Sequence, residues 1–272
     1  MACRDALRGV KVEDVMRPCG IFVASNDLVT KARAVMRATG LKSLPVIDNG
    51  RLSGIVTIKE VMRVTSTRSN IAVSGIMSPF KLVATPSMSL VDLARQMVDL
   101  DVSDVPVVKS SSDRTVVGVV RLDDVLVQIS GRIPPASKVE EIMVTDVVTC
   151  EPDDEISKIW DLMEKTHCSG LPVVRYDKRR KKRQALGMIT RSDIIRSGTI
   201  RLSEESDKGR FRTPPKVKSV MRTPAIVVSP QTSINTAVDL MLEKKIGRLA
   251  VVSDGDLVGV VSRSDIIRFA CR

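Results

Sequence analysis

The chain has 272 residues, 43% apolar and 28% charged, with a net charge of +11. That apolar share supports a packed core and excludes a disordered chain. No run of about 18 apolar residues exists to cross a membrane. Aromatic residues are only 2% of the chain, so Val, Ile, Leu and Met must build the core. The opening stretch MACRDALRGV carries no apolar signal-peptide segment, so the expected compartment is the cytoplasm. The five cysteines, Cys3, Cys19, Cys150, Cys168 and Cys271, are odd in number and form no CxxC, which argues against a disulfide framework or a zinc knuckle. His167 precedes Cys168, but it is the only histidine and has no cluster of further ligands around it. With no nucleophile–base pair, metal cluster or P-loop, no catalytic residue, metal or catalytic cofactor is expected.

In chain order the same unit is met four times. Copy one opens on the lead-in VEDVM, ending at Met16, and twenty residues later Met36 falls within a helical pattern. The apolar strand LPVI, the turn DNGRLS, Gly54 and the stretch TIKE (Thr57–Glu60) follow. Copy two repeats this with Met77, Met97, the strand VPVV, a longer connection KSSSDRTVV, Gly118 and Asp124, but Arg121 replaces the hydroxyl residue. The linker QISGRIPPASK leads to copy three: Met143, the β run DVVTC (Asp146–Cys150), and a helix with Ile156, Ile159, Trp160 and Met163 on one face. Its strands LPVV and ALGMIT flank Arg175–Arg183, which has seven basic residues and one acid, and TRSD (Thr190–Asp193) closes it. A polar linker, Arg201–Lys216, precedes copy four: Met221, the β run AIVVS (Ala225–Ser229), Ile234, Ala237, Val238 and Met241 on a helix, the strand LAVV, Gly259 and SRSD (Ser262–Asp265). Each copy therefore reads as β-α-β-β-α, an α/β class chain of four repeats at 10–68, 71–130, 137–200 and 215–272. The methionines, at helical spacing with Val and Ile, read as core filler. Such units are small, so they are expected to pair.

The stretch [ST]-x-x-[DE] is a capping box, worth about 1 kcal/mol without any ligand. Three features go beyond it. Three copies use the shorter Asp, copy two keeps Asp124 without a hydroxyl partner, and Arg191 and Arg263 follow the hydroxyl, where a cation opposes the helix dipole. A nucleotide accounts for all three, with a carboxylate accepting from a ribose diol and a guanidinium gripping phosphate in a bidentate manner.

The V-x-x-[VI]-M opening, the L-P-V-[VI] strand and the G-h-h-[ST]-x-x-D close, found fourfold from about Val10 to Arg268, resemble the cystathionine-β-synthase (CBS) domain family. As a set of four, the chain looks like the regulatory γ subunits of AMP-activated protein kinase and their archaeal relatives. The resemblance implies that copies one and two form one module and copies three and four another, with adenine nucleotides (AMP, ADP or ATP) in clefts between paired copies. Asp193 and Asp265 would then bind ribose, with Thr190 and Ser262 beside ribose or phosphate. Arg248 would face phosphate, as in the kinase γ subunits. The base would lie in a slot of Val147, Val148 and Pro172 in copy three, and of Ala225, Ile226 and Ala250 in copy four. In the first module Thr57 with Glu60 fits a plain cap better, and Arg121 beside Asp124 would reach into a shared cleft. One or two occupied clefts are expected.

The expected function is non-catalytic regulation, with nucleotide occupancy relayed to an effector protein. An adenosyl ligand such as S-adenosylmethionine stays open, although its sulfonium suits Arg191 and Arg263 poorly. The basic run Lys178–Arg183 offers nucleic acid or an acidic protein a docking point, or is simply a solvated hairpin tip. Dimerisation between chains is also expected from the resemblance.

Overall fold

The structure is a computed structural model that describes residues 7–64, 71–198 and 215–271. Cys3 and most of the Arg201–Lys216 linker lie outside the described residues. In each copy the first helix forms where apolar residues recur every three to four positions. The helices are α1 (Val29–Thr39), α3 (Leu90–Asp99), α5 (Ile156–Lys165) and α7 (Ile234–Lys244). Each turns its methionine inward, and Met36, Met97, Met163 and Met241 are at most 1% exposed. Filling the core is therefore what these side chains do.

Each helix is followed by an antiparallel strand pair. The pairs are β1 (Ser43–Asp48) with β2 (Arg51–Thr57), β3 (Asp104–Val108) with β4 (Val116–Arg121), β5 (Gly170–Asp177) with β6 (Lys182–Thr190), and β8 (Arg248–Ser253) with β9 (Asp256–Ser262). The Asn49-Gly50 and Asp254-Gly255 turns have positive φ at both residues, the conformation that tight hairpins need. Short second helices close the copies: α2 (Ile58–Arg63), α4 (Leu122–Ile129), α6 (Arg191–Ser197) and α8 (Arg263–Ala270).

The β runs expected at Asp146–Cys150 and Ala225–Ser229 are shorter than the sequence predicts. Val23, Ala84 and Cys150 each make a single parallel bridge, to Val46, Val107 and Val173. Among the described residues, copy four alone has a strand there, β7 (Val227–Val228), parallel to β8. In every copy the partner strand shifts register immediately after the bridged residue, at Val46/Ile47, Val107/Val108, Val173/Val174 and Val251/Val252. The extra residue of each bulge, Ser53, Val117, Leu186 or Val258, lies in the outer strand, and the inner strand still bonds the first run just past the bridge, as Ile47 N does to Val23 O at 2.9 Å.

The lead-in of each copy packs on another copy. The lead-in of copy one pairs with copy two (Lys11 with Ser89, Arg17 with Val119), and that of copy two with copy one (Leu28 with Ala72, Ile55 with Ser78). Copies three and four exchange in the same way (Glu155 with Lys216, Met188 with Arg222; Lys138 with Ser233, Val144 with Val260). This crossing explains the glycine shared by the four copies. A Cβ on Gly54, Gly118 or Gly187 would lie 2.9, 2.9 or 2.4 Å from the backbone oxygen of Ser78, Arg17 or Arg222, and one on Gly259 would lie 2.9 Å from Met143 Sδ.

Two compact units result. The first holds the bodies of copies two and four with the lead-ins of copies one and three. The second holds the bodies of copies one and three with the other two lead-ins. The resemblance pairs copy one with two and three with four. The compact units join alternate copies, while the lead-ins are exchanged between sequential ones. Helix packing is the cause. In the first unit, side chains of α3, α4, α7 and α8, including Leu93, Met97, Leu126, Val238, Ile266 and Ile267, share one core. In the second, Ile195 of α6 enters the core of copy one, and Arg196 Nη2 donates to the Thr39 carbonyl at 2.9 Å, at the end of α1.

Gly187→Ala is expected to lower the stability of the fold by about 1–3 kcal/mol, because the Arg222 backbone cannot yield to the added methyl. Gly20→Ala, whose Cβ would meet nothing within 4 Å, serves as the control. Urea unfolding of the two variants checks this, and equal midpoints would contradict it.

Candidate functional site

The second helix of each copy begins directly at the end of the outer strand, so the last strand residue is also its N-cap. The acid three residues on returns to that residue's amide in all four copies. Glu60 Oε2 accepts from Thr57 N at 2.7 Å, and Asp124 Oδ2 from Arg121 N at 2.9 Å. Asp193 Oδ2 accepts from Thr190 N at 3.1 Å, and Asp265 Oδ2 from Ser262 N at 2.9 Å. The Thr190 and Ser262 hydroxyls donate to the same Oδ2 atoms at 2.5 Å, and Thr57 Oγ1 lies against Glu60 Oε2. Capping is thus a real duty of these acids, and it occupies one carboxylate oxygen of each.

The second oxygen has a different neighbour in each aspartate. Asp193 Oδ1 pairs with Arg222 Nε at 2.7 Å. Asp124 Oδ1 faces the Arg17 guanidinium as an ion pair without an aligned hydrogen bond. Asp265 Oδ1 has Arg268 Nη1 of its own helix at 3.4 Å. Asp124 and Asp193 are only 3% and 6% exposed. Charges so placed require a counter-ion. Arg17 and Arg222 were missed in the sequence. Their signal was the Met-Arg pair that ends two of the four lead-ins, where the others read Met77-Ser78 and Met143-Val144.

Three expected arginines are committed elsewhere. Arg191 does not face outward as a phosphate clamp. Its Nη2 donates to the Met163 carbonyl at 2.6 Å, Nη1 pairs with Glu164 at 3.1 Å, and the guanidinium lies 5.9 Å from the Trp160 ring centre. It therefore serves the carbonyl end of α5, where a cation is favourable. Arg263 pairs with Asp123 and lies across Gly247, where a Cβ would be 2.5 Å from its Nη2. Arg121 pairs with Asp104 directly across the strands, Nε to Oδ1 at 3.2 Å, instead of reaching into a cleft. Arg248 stands opposite Ser262 in the β8–β9 register.

The base-slot residues divide between the two units. Val148, Pro172 and Ala225 belong to the second, where the Pro172 carbonyl accepts from Cys150 N at 3.1 Å and Ala225 N donates to Leu186 at 3.0 Å. Val147, Ile226 and Ala250 belong to the first, where Ala250 N donates to Ile226 at 3.3 Å. Pro172 and Ala250 are buried, and the other four are half-buried.

Burial, with the charge of Asp154 nearby, pushes the Cys150 thiol up to about 12, so it is inert at neutral pH. Among the described residues no group of three His, Cys, Asp or Glu is placed to hold a metal, and no helix is long and apolar enough to cross a membrane. The basic run forms the β5–β6 hairpin tip. Lys178 to Lys181 are exposed, and Asp177 Oδ1 is taken up accepting from Arg179 N and Arg180 N at 2.9 and 3.2 Å. Tyr176 is 51% exposed and stands opposite Arg183.

The CBS domain family model matches residues 12–66, 73–131, 139–198 and 217–272. Among curated proteins, the chain is 26% identical over 268 residues to the uncharacterised protein MJ1404 of Methanocaldococcus jannaschii, covering 95% of this chain and 61% of that one. It is 28% identical over 138 residues to inosine-5'-monophosphate dehydrogenase of the same organism, covering 50% of this chain and 24% of the dehydrogenase. The chain thus spans less than two thirds of these relatives. Among solved structures, MJ1225 of M. jannaschii, described as a proposed archaeal homologue of g-AMPK, superposes with a TM-score of 0.80 at 18% identity, covering 96% of this chain and 99% of that one. An uncharacterised conserved protein of Pyrococcus horikoshii gives 0.65 at 19% identity, covering 96% of this chain and 100% of that one. With the motif matched four times over most of its length and the repeated strand–helix architecture to go with it, the chain belongs to the CBS domain family.

Proposed function

We propose that the protein is a non-catalytic regulatory chain of the cytoplasm that binds AMP, ADP or ATP at the carboxylates closing its CBS copies and relays occupancy to a protein partner. The observation that carries this reading is the division of labour within Asp193. One oxygen caps its own helix, while the other, on a residue 6% exposed, is held among the described residues by one guanidinium, whose side chain is 49% exposed. A ribose diol can supply two donors to such an oxygen, and a phosphate can take the guanidinium. Asp265 is the second candidate, since its cap residue Ser262 stands opposite Arg248 and, among the described residues, its Oδ1 has a single contact, to Arg268 Nη1 at 3.4 Å. Calorimetry with AMP and ATP tests this. Asp193→Ala and Asp265→Ala are each expected to weaken the affinity of their own site by tenfold or more, about 1.4 kcal/mol. Asp124, which faces Arg17, is the third candidate, and unaltered binding in both variants and in Asp124→Ala would overturn the reading.

A second activity is favoured by the exposed Tyr176 at the base of the basic hairpin. An aromatic face beside a row of cations suits single-stranded nucleic acid, with stacking added to phosphate attraction. Deleting Asp177–Arg183 is expected to lower RNA affinity at least tenfold at low salt and to flatten its salt dependence, measured by fluorescence anisotropy. Unchanged affinity would leave the run as a solvated tip.

A further inference from the structure

We propose that Arg222 and Arg17 are exchangeable counter-ions: each neutralises a buried carboxylate in the free protein and passes to the ligand's phosphate when ribose hydroxyls replace it. This rests on the nucleotide reading above and specifies its ligand class, an anionic nucleotide in preference to a neutral or cationic adenosyl compound.

Four observations converge. First, both arginines directly follow the lead-in methionine, so the exchanged lead-ins deliver them to equivalent places. Arg222 lies at Asp193 of copy three and Arg17 at Asp124 of copy two. Second, the acceptor is incomplete without them. Oδ2 of each aspartate is engaged by its helix cap, whereas Oδ1 of Asp124, on a residue 3% exposed, receives no aligned hydrogen bond. A carboxylate so buried cannot lose its counter-ion unless donors replace it, and a vicinal diol brings two.

Third, the guanidiniums can leave while the lead-ins stay. The Arg222 and Arg17 side chains are 49% and 58% exposed. Their backbones remain pinned by Arg222 N to Met188 O and Met188 N to Arg222 O, at 2.8 and 3.0 Å, and by Arg17 N to Val119 O and Val119 N to Arg17 O, at 2.9 and 2.8 Å. Fourth, the equivalent positions in the other two copies are Ser78 and Val144, neither of which can neutralise a carboxylate. Copies two and three are thereby distinguished from copies one and four.

The consequence is charge selection. A neutral nucleoside displaces the arginine but offers it no anion, and a sulfonium ligand adds a second cation beside it. A phosphate ester restores the pair that its ribose breaks. Because the exchange only trades one ion pair for another, affinity gained from the phosphate is large only where the arginine is present.

Calorimetric titration of AMP, adenosine and S-adenosylmethionine into wild type, Arg222→Gln, Arg17→Gln and the double variant tests this. The preference for AMP over adenosine is expected to fall at least tenfold in the double variant, and the disadvantage of S-adenosylmethionine against adenosine to shrink with it. Arg222→Lys with Arg17→Lys, which retains charge but loses the fork, is expected to keep an intermediate preference, and it carries the test if the glutamine variants unfold. A preference unchanged in every variant, or AMP and adenosine weakened by the same factor, would show that the arginines only pin the lead-ins and would overturn the exchange. Wild-type protein that binds neither AMP nor adenosine would remove the nucleotide reading itself, and the exchange with it.

Discussion

Four times in this chain a lead-in backbone crosses the outer strand of another copy, and four times it does so at a glycine. Two antiparallel backbone hydrogen bonds fasten each crossing, as between Ile55 and Ser78 or Met188 and Arg222. Each such bond contributes only about 0.5–1.5 kcal/mol net, but the crossing requires the strand to approach without a Cβ, and little else fits there. From this one constraint follow the exchange of lead-ins between sequential copies, the completed sheet edge, and the arrival of Arg17 and Arg222 at carboxylates belonging to copies other than their own.

The helix caps give the four copies a shared chemistry and their lead-ins give them different ones. Glu60, Asp124, Asp193 and Asp265 all return to their own N-cap amide, which satisfies a backbone donor that the helix leaves unpaired. What remains is a single oxygen per carboxylate, and its surroundings differ. Arginine from an exchanged lead-in meets it in copies two and three, a weak contact from the same helix in copy four, and in copy one the longer Glu60 side chain folds onto Thr57. A repeat duplicated in outline thus yields four unequal carboxylates.

Much of this was legible in the sequence. The spacing of Met, strand, Gly and acid is local and repeats four times, so repeat boundaries, helix faces and capping boxes could be read directly. The destinations of long side chains could not. Arg191 sits in the sequence at a helix start, where a cation opposes the dipole, yet its guanidinium reaches the Met163 carbonyl at the far end of a different helix, and nothing in the local pattern marks that carbonyl. Arg263 likewise answers to Asp123 of copy two. Arg17 and Arg222 stood in plain view as Met-Arg pairs, but their role appears only once lead-ins are known to be exchanged. The first β run shrinks to a single bridge in three copies, an extent that hydrophobic alternation does not encode.

A crystal structure of the protein grown with millimolar AMP tests the central claim most directly. The account predicts ribose hydroxyls about 3 Å from Asp193 Oδ1, with Arg222 turned from the carboxylate onto the phosphate and its backbone bonds to Met188 unbroken. An Asp193–Arg222 pair left intact, with no nucleotide beside it, would contradict the account.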